Sequence, residues 1–302
     1  MMRDSARTIR RGTGVALAGT LAVAALVVPA APASADTTIS ANEQTFYGYY
    51  RLDAIHSSGY TGEGVTIALV DGPINTQIPE LAGARIQSYS PCAVDSQDKS
   101  WDHGTVIAQV ISSPQFGVAP GANLRAYTLS FAGETTGNDC ALGQWGRGYS
   151  DLALLIEDAL NDGVDVITTS SSYPSDYEGM RWALARAIAS KVPVVACTGN
   201  DSTRNSTEWL PSWGGVVGVG AIETNGRPSD YQNWGRPLST AALARPLARS
   251  GVSQERGEWW GTSFASPVVA GSLALSMQRW PRATGNQIMQ GLARTGVGGN
   301  GG

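Results

Sequence analysis

Val65-Thr66-Ile67-Ala68-Leu69-Val70-Asp71-Gly72-Pro73 is a nearly continuous apolar run that stops at a carboxylate and two turn residues. A strand with one wet face alternates apolar and polar residues. A run that is apolar almost throughout predicts a strand covered on both faces, as in parallel sheets. The chain that follows keeps the same pattern. A weaker strand is predicted over 85–90, and further strands over 124–131, 164–172 and 192–197, with another apolar run over 214–222. Helical spacing appears between them. Val106, Ile107, Val110 and Ile111 mark a helix from His103. Ser150 caps a helix carrying Leu152, Leu155, Ile156, Ala159 and Leu160, and Met180, Leu184, Ala187 and Ile188 mark another. Strands and helices alternating from 65 to 200 predict a three-layer α/β fold with a mostly parallel sheet.

Ligands of such sheets bind at the carboxyl ends of the strands. Asp71 ends one strand and Asn200 follows another, while His103 and Ser263 are each expected at a helix start on that edge. Ser263 lies in Gly261-Thr262-Ser263-Phe264-Ala265-Ser266-Pro267, which reads as a tight turn running into a helix. Val268 to Met277 is apolar on nearly every side, so that helix is buried. Pro267 is expected in its first turn, where a missing N–H is tolerated. A serine there sits among unpaired N–H groups at the positive end of the helix dipole, which suits a nucleophile and equally suits an N-cap.

A serine nucleophile needs a base, and the base needs an orienting group. Histidine is the usual base at neutral pH, and the chain has two. His56, in Asp53-Ala54-Ile55-His56-Ser57, reads as a solvated helix end, which leaves His103. Asp71 is the natural orienting carboxylate. Asp102 is its rival, but an adjacent side chain is badly placed to hold its neighbour's ring. Asn200 is placed to donate its amide to a developing oxyanion, with the Ser263 N–H as second donor.

These motifs resemble those of the subtilisin-like serine proteases. The run into Asp71-Gly72 is similar to that family's aspartate motif and His103-Gly104-Thr105 to its histidine motif. The heptad at Ser263 is similar to its serine motif, and Ala196-Cys197-Thr198-Gly199-Asn200 to its oxyanion segment. Gly117-Val118-Ala119-Pro120-Gly121-Ala122 resembles a further landmark, and the order Asp, His, Ser is the subtilisin order. The resemblance covers roughly 48–290. It implies a roughly seven-stranded sheet and a serine endopeptidase with Asp71, His103, Ser263 and Asn200 as catalytic residues. It implies substrate pairing along Ser170, Ser171 and Ser172, and a specificity pocket beside Thr198 and Gly199. Gly72 stands where the family usually has threonine, Gln109 where it often has glycine, and Ser172 in place of a usual glycine. Cys197-Thr198 replaces the usual alanines, so a narrowed pocket and small or medium P1 residues are expected.

The outer parts of the chain bear on compartment and partners. A basic stretch ending at Arg11, an apolar run over Val15–Val28 and Ala33-Ser34-Ala35 read as an export signal over 1–35, with secretion and no membrane anchor after cleavage. Residues 36–64 read as an N-terminal extension, 65–295 as the peptidase domain and 296–302 as a glycine-rich tail. The extension is too short for an independently folding prodomain and is expected to wrap the domain, as in mycosin-like members of the family. Of three cysteines, Cys92 and Cys140 lie in polar, loop-like stretches and Cys197 in an apolar run. A Cys92–Cys140 disulfide and a buried free Cys197 are expected in an exported protein. The net charge of −4 does not suit a nucleic-acid partner. The expected partner is a protein or peptide substrate, with the chain a monomer. Asp95, Asp98 and Asp139 show no ligand spacing, so neither metal nor cofactor is assigned. Asn200-Asp201-Ser202 and Asn205-Ser206-Thr207 match the glycosylation sequon, and Asn200 is read as unmodified. Two other readings are a processing protease of the mycosin kind and an inactive subtilisin fold serving as a binding module.

Overall fold

The structure, a computed structural model, describes residues 38–90, 93–131, 133–136, 150–170, 178–204, 209–236 and 238–295. The export signal, Cys92 and Cys140, Ser171 and Ser172, the sequon at Asn205 and the glycine-rich tail lie outside the described residues. In chain order the helices and strands are α1 (Thr45–Tyr49), α2 (Leu52–Ser57), β1 (Thr66–Asp71), β2 (Ile86–Tyr89), β3 (Val94–Asp95), α3 (Asp98–Ser112), β4 (Asn123–Thr128), β5 (Thr135–Thr136), α4 (Asp151–Asn161), β6 (Val166–Thr169), α5 (Glu178–Ala189), β7 (Val194–Cys197), β8 (Val216–Ile222), β9 (Leu238–Leu243), β10 (Leu247–Arg249), β11 (Arg256–Glu258), α6 (Thr262–Arg279) and α7 (Gly285–Thr295).

Seven strands form one sheet in the order β2-β4-β1-β6-β7-β8-β9. Every neighbouring pair in it is parallel. The expected α/β architecture is therefore the observed one. The apolar run of β1 is explained by its two faces. Ile67 and Leu69 join a core built with α3 and α6, whereas Ala68 and Val70 join a second core built with α4 and α5. Because side chains alternate across a strand, burial on both sides demands apolar residues at successive positions.

The extension packs into the first core. Ile39, Phe46 and Leu52 are buried beside Ile67 and Leu69. Polar bonds tie it down. The Ile39 N–H donates to Glu80 Oε1 at 3.1 Å, the Leu243 N–H to Tyr50 Oη at 3.0 Å, and the Leu247 N–H to Gln44 Oε1 at 3.2 Å. The Tyr49–Ile55 stretch is not one continuous helix. Two short ones occur instead, because Arg51 between them adopts a left-handed φ of 54° that no α-helix tolerates. His56 is not a solvated helix end. Its Nε2 donates to the Val118 carbonyl at 3.0 Å and its Nδ1 faces Tyr47 Oη at 3.3 Å, so it fastens the extension to the core.

The third helix also departs from expectation. It begins at Asp98, five residues before His103, and its first turn (Asp-Lys-Ser-Trp-Asp) has no apolar periodicity to mark it in the sequence. That turn is held by Glu134, which accepts from the Gln97 N–H at 2.9 Å and from Ser100 Oγ at 2.5 Å. Gln109, the unusual residue further along α3, is fully buried. It donates to the Arg249 carbonyl at 2.8 Å and accepts from the Arg249 N–H at 2.9 Å, pinning α3 to β10. The Arg249 side chain in turn forms a buried two-bond pair with Glu80, at 2.7 and 3.0 Å.

Candidate active site

The carboxyl edge of the sheet gathers the four expected polar residues from four segments. Asp71, at the end of β1, is fully buried. Its Oδ1 accepts from His103 Nδ1 at 2.7 Å and from the Gly72 N–H at 2.7 Å, which fixes the carboxylate along the ring edge. No side chain fits at Gly72, because a Cβ there would lie 2.1 Å from the Ser100 carbonyl oxygen. The early turn of α3 thus occupies the space that a threonine would need, and Asp71 Oδ2 has no hydrogen-bond partner among the described residues.

His103 lies in the second turn of α3, not at its start. Its side chain is 26% exposed, with Phe264 and Phe131 rings 5.6 and 6.3 Å from it between centroids. Burial among these rings lowers its pKa. The Asp71 charge and hydrogen bond outweigh burial, so the net shift is upward. Asp102 is turned away, accepting from Ser250 Oγ at 2.6 Å and the Val252 N–H at 3.0 Å, so only one carboxylate is placed to orient the ring.

Ser263 is the second residue of α6, so its N–H has no partner one turn back. Because α6 starts at Thr262, Pro267 falls in the second turn and not in the first as expected. Residue 267 would normally donate to the carbonyl of residue 263, and proline cannot. Ser170 Oγ takes that place at 2.7 Å. The Ser170 side chain, expected along the substrate strand, is therefore turned inward beneath Ser263. Cys197 is free and buried as expected; its Sγ donates to the Ser170 carbonyl at 3.1 Å. Burial pushes its thiol up to about 11, with the Thr262 and Ser263 hydroxyls in reach of the sulfur. Ser263 and His103 do not share a hydrogen bond in this structure. The contact of His103 with Phe264 brings the imidazole beside the first turn of α6, and such bonds are often long without substrate.

Asn200 leaves β7 on an exposed loop. Its Oδ1 accepts from the Thr262 N–H at 2.8 Å and from Thr262 Oγ1 at 3.0 Å. With the oxygen held, the NH₂ group is turned outward from that contact. Thr262 Oγ1 also accepts from the Gly199 N–H at 3.0 Å. Thr262 thus locks the amide orientation, and in the sequence only its hydroxyl beside the serine signals that role. Thr198 is fully buried and its N–H bonds to the Val219 carbonyl at 3.0 Å. Among the described residues no cluster of His, Cys, Asp and Glu could hold a metal, and no helix is long and apolar enough to cross a membrane.

A buried carboxylate orienting a histidine, beside a serine at a helix start and an asparagine with its oxygen tethered, is an arrangement that suits serine-nucleophile chemistry. The chain belongs to the subtilase family, Peptidase S8, which residues 62–301 match. It is 28% identical over 253 residues to subtilisin E of Bacillus subtilis (strain 168), covering 81% of this chain and 64% of that protein's length. It is 31% identical over 248 residues to subtilisin BL of Lederbergia lenta, covering 80% of this chain and 87% of that one. The crystal structure of MycP1 from the ESX-1 type VII secretion system shares the fold, with a TM-score of 0.69 at 21% identity over 88% of this chain and 82% of that one.

Proposed function

We propose that the protein is a secreted serine endopeptidase acting on protein or peptide substrates as a monomer. The observation that carries the reading is the Asp71–His103 bond at 2.7 Å beside a helix that begins at Thr262 and Ser263. Ser263 Oγ attacks the scissile carbonyl carbon while His103 Nε2 takes the hydroxyl proton. Asp71 keeps Nδ1 protonated and stabilises the imidazolium. The tetrahedral oxyanion is held by the Asn200 amide and the Ser263 N–H. Collapse breaks the C–N bond, and the leaving amine takes the proton from His103. Water then attacks the acyl ester with His103 again as base, which frees the acid and restores Ser263. This mechanism requires a Ser263–His103 hydrogen bond to form in the substrate complex.

Labelling with a fluorophosphonate probe at neutral pH tests this. Label on the wild type, lost in Ser263→Ala, is expected; an unlabelled wild type overturns the reading and favours a binding module. Export is proposed to remove residues 1–35, so the first residue of protein recovered from the medium is Asp36. The extension packed on the core supports a second reading, processing of few substrates at a secretion apparatus, as in mycosin-like relatives. Broad digestion of casein favours the first reading, and its absence in labelled enzyme favours the second.

A further inference from the structure

Asn200 stands on a loop whose residues 200–204 are all exposed. A donor contributes to catalysis only when it is already aimed at the developing charge, so an exposed loop needs a splint. The splint is the segment 230–234, and its centre is Asn233, fully buried. Asn233 Oδ1 accepts from the Asp201 N–H at 2.8 Å and from the Thr203 N–H at 3.3 Å. Its Nδ2 donates to Asp201 Oδ2 at 3.2 Å, and its own N–H donates to the Gly199 carbonyl at 2.9 Å. One residue thus grips the loop on both sides of Asn200.

The grip is close and works against strain. A Cβ at Gly199, where φ is +99°, would lie 2.5 Å from Asn233 Nδ2, so only glycine fits. Ser202 is held at a left-handed φ of 51°, which a non-glycine residue adopts only when its surroundings enforce it. Its N–H donates to the Tyr231 carbonyl at 3.0 Å and its Oγ to the Asp230 carbonyl at 2.6 Å. The Trp234 N–H donates to the Thr203 carbonyl at 3.0 Å.

From this arrangement we infer that Asn233 is a positioning residue that holds the Asn200 amide where the oxyanion forms. This rests on the proposed role of Ser263 as nucleophile. Asn233 acts through Asn200, so its loss lowers turnover and leaves ground-state binding nearly unchanged. Removing such a donor outright costs about 10²–10³ in kcat. Misplacing it by about 1 Å costs on the order of 10²-fold, at the lower end of that range.

The test is a double-mutant cycle in the full chain, assayed with a chromogenic peptide amide. Asn233→Ala is expected to lower kcat with KM within about twofold of wild type, and to have no further effect in Asn200→Ala. Asn233→Asp keeps the acceptor but sets two carboxylates together, so kcat falls; adding Asp201→Asn exchanges donor and acceptor and restores it. If Asn233→Ala does not fold, Asn233→Asp and its double variant decide on the same readouts. An equal loss with and without Asn200, a change in KM in place of kcat, or no rescue by the exchange overturns the inference. A wild type that takes no fluorophosphonate label overturns the proposed function itself, so the two failures are separate.

Discussion

Ser170 Oγ donates to the carbonyl oxygen of Ser263 at 2.7 Å, filling the position that the ring of Pro267 leaves without a donor. The end of β6 and the first turns of α6 are joined by that bond. The helix that presents the candidate nucleophile is therefore fastened to the sheet through the nucleophile's own peptide group.

Ser170→Ala leaves that buried carbonyl unpaired and is expected to destabilise the fold by about 1–3 kcal/mol, read from urea unfolding. Adding Pro267→Ala supplies the missing helical N–H. The double variant should recover part of the loss, and a double variant less stable than Ser170→Ala counts against the account.

The pH dependence of kcat/KM follows from the upward shift of His103. The base must be neutral, whereas Asp71 favours the protonated ring. Activity should rise with pH through an inflection above the ordinary histidine value of about 6.5. Asp71→Asn removes the charge and leaves burial, which moves the inflection below that value and lowers kcat on the order of 10⁴-fold. The contribution of this pair to stability runs the other way. It is present below the unfolded-state pKa and disappears as pH rises through the higher folded value. An inflection unmoved in Asp71→Asn contradicts the electrostatic assignment.

Cys197 reacts through its thiolate, and burial holds its pKa at about 11. Iodoacetamide at pH 8 should leave the peptide containing Cys197 unmodified in the native protein and alkylate it fully in denaturant, as read by mass spectrometry. Rapid native alkylation argues that the floor of the site opens.

Glu80 meets Arg249 in a buried pair and also accepts the Ile39 N–H. Glu80→Ala takes the carboxylate from the buried guanidinium, which keeps its bond to the Gln254 carbonyl, and releases the start of the extension. The expected cost is about 3–5 kcal/mol of stability, measured by denaturant unfolding. A loss below about 1 kcal/mol, as for an exposed pair, contradicts the burial argument.

Elements buried on both sides were legible in the sequence. The run into Asp71 and the all-round apolar stretch after Ser263 show the burial that each strand or helix experiences. Elements with a wet face and few large apolar residues were not. The first turn of α3 is polar, β9 is Leu-Ser-Thr-Ala-Ala-Leu on the sheet edge, and α7 carries little more than Ile288, Met289 and Leu292. At the candidate site, Asp71, His103, Ser263 and Asn200 stand out in the sequence because the proposed chemistry demands those residue types. Thr262, Ser170 and Asn233 bond to backbone or amide groups, tasks that many residues perform, so local sequence does not mark them. Which carboxylate faces His103 depends on the direction of two side chains, Asp71 at the end of β1 and Asp102 on α3, and not on spacing.

The contacts of residues 38–57 carry a consequence for the order of folding. Tyr50 meets Leu243 across 193 residues of chain, and Gln44 meets Leu247 across 203. The earliest part of the described chain therefore cannot finish docking until one of the latest has emerged and settled. Contacts of such long sequence separation slow folding, because the loop between them is closed before the contact is gained. The extension behaves as a clasp that shuts last, and a newly made chain stays open until the strands after Leu238 are in place.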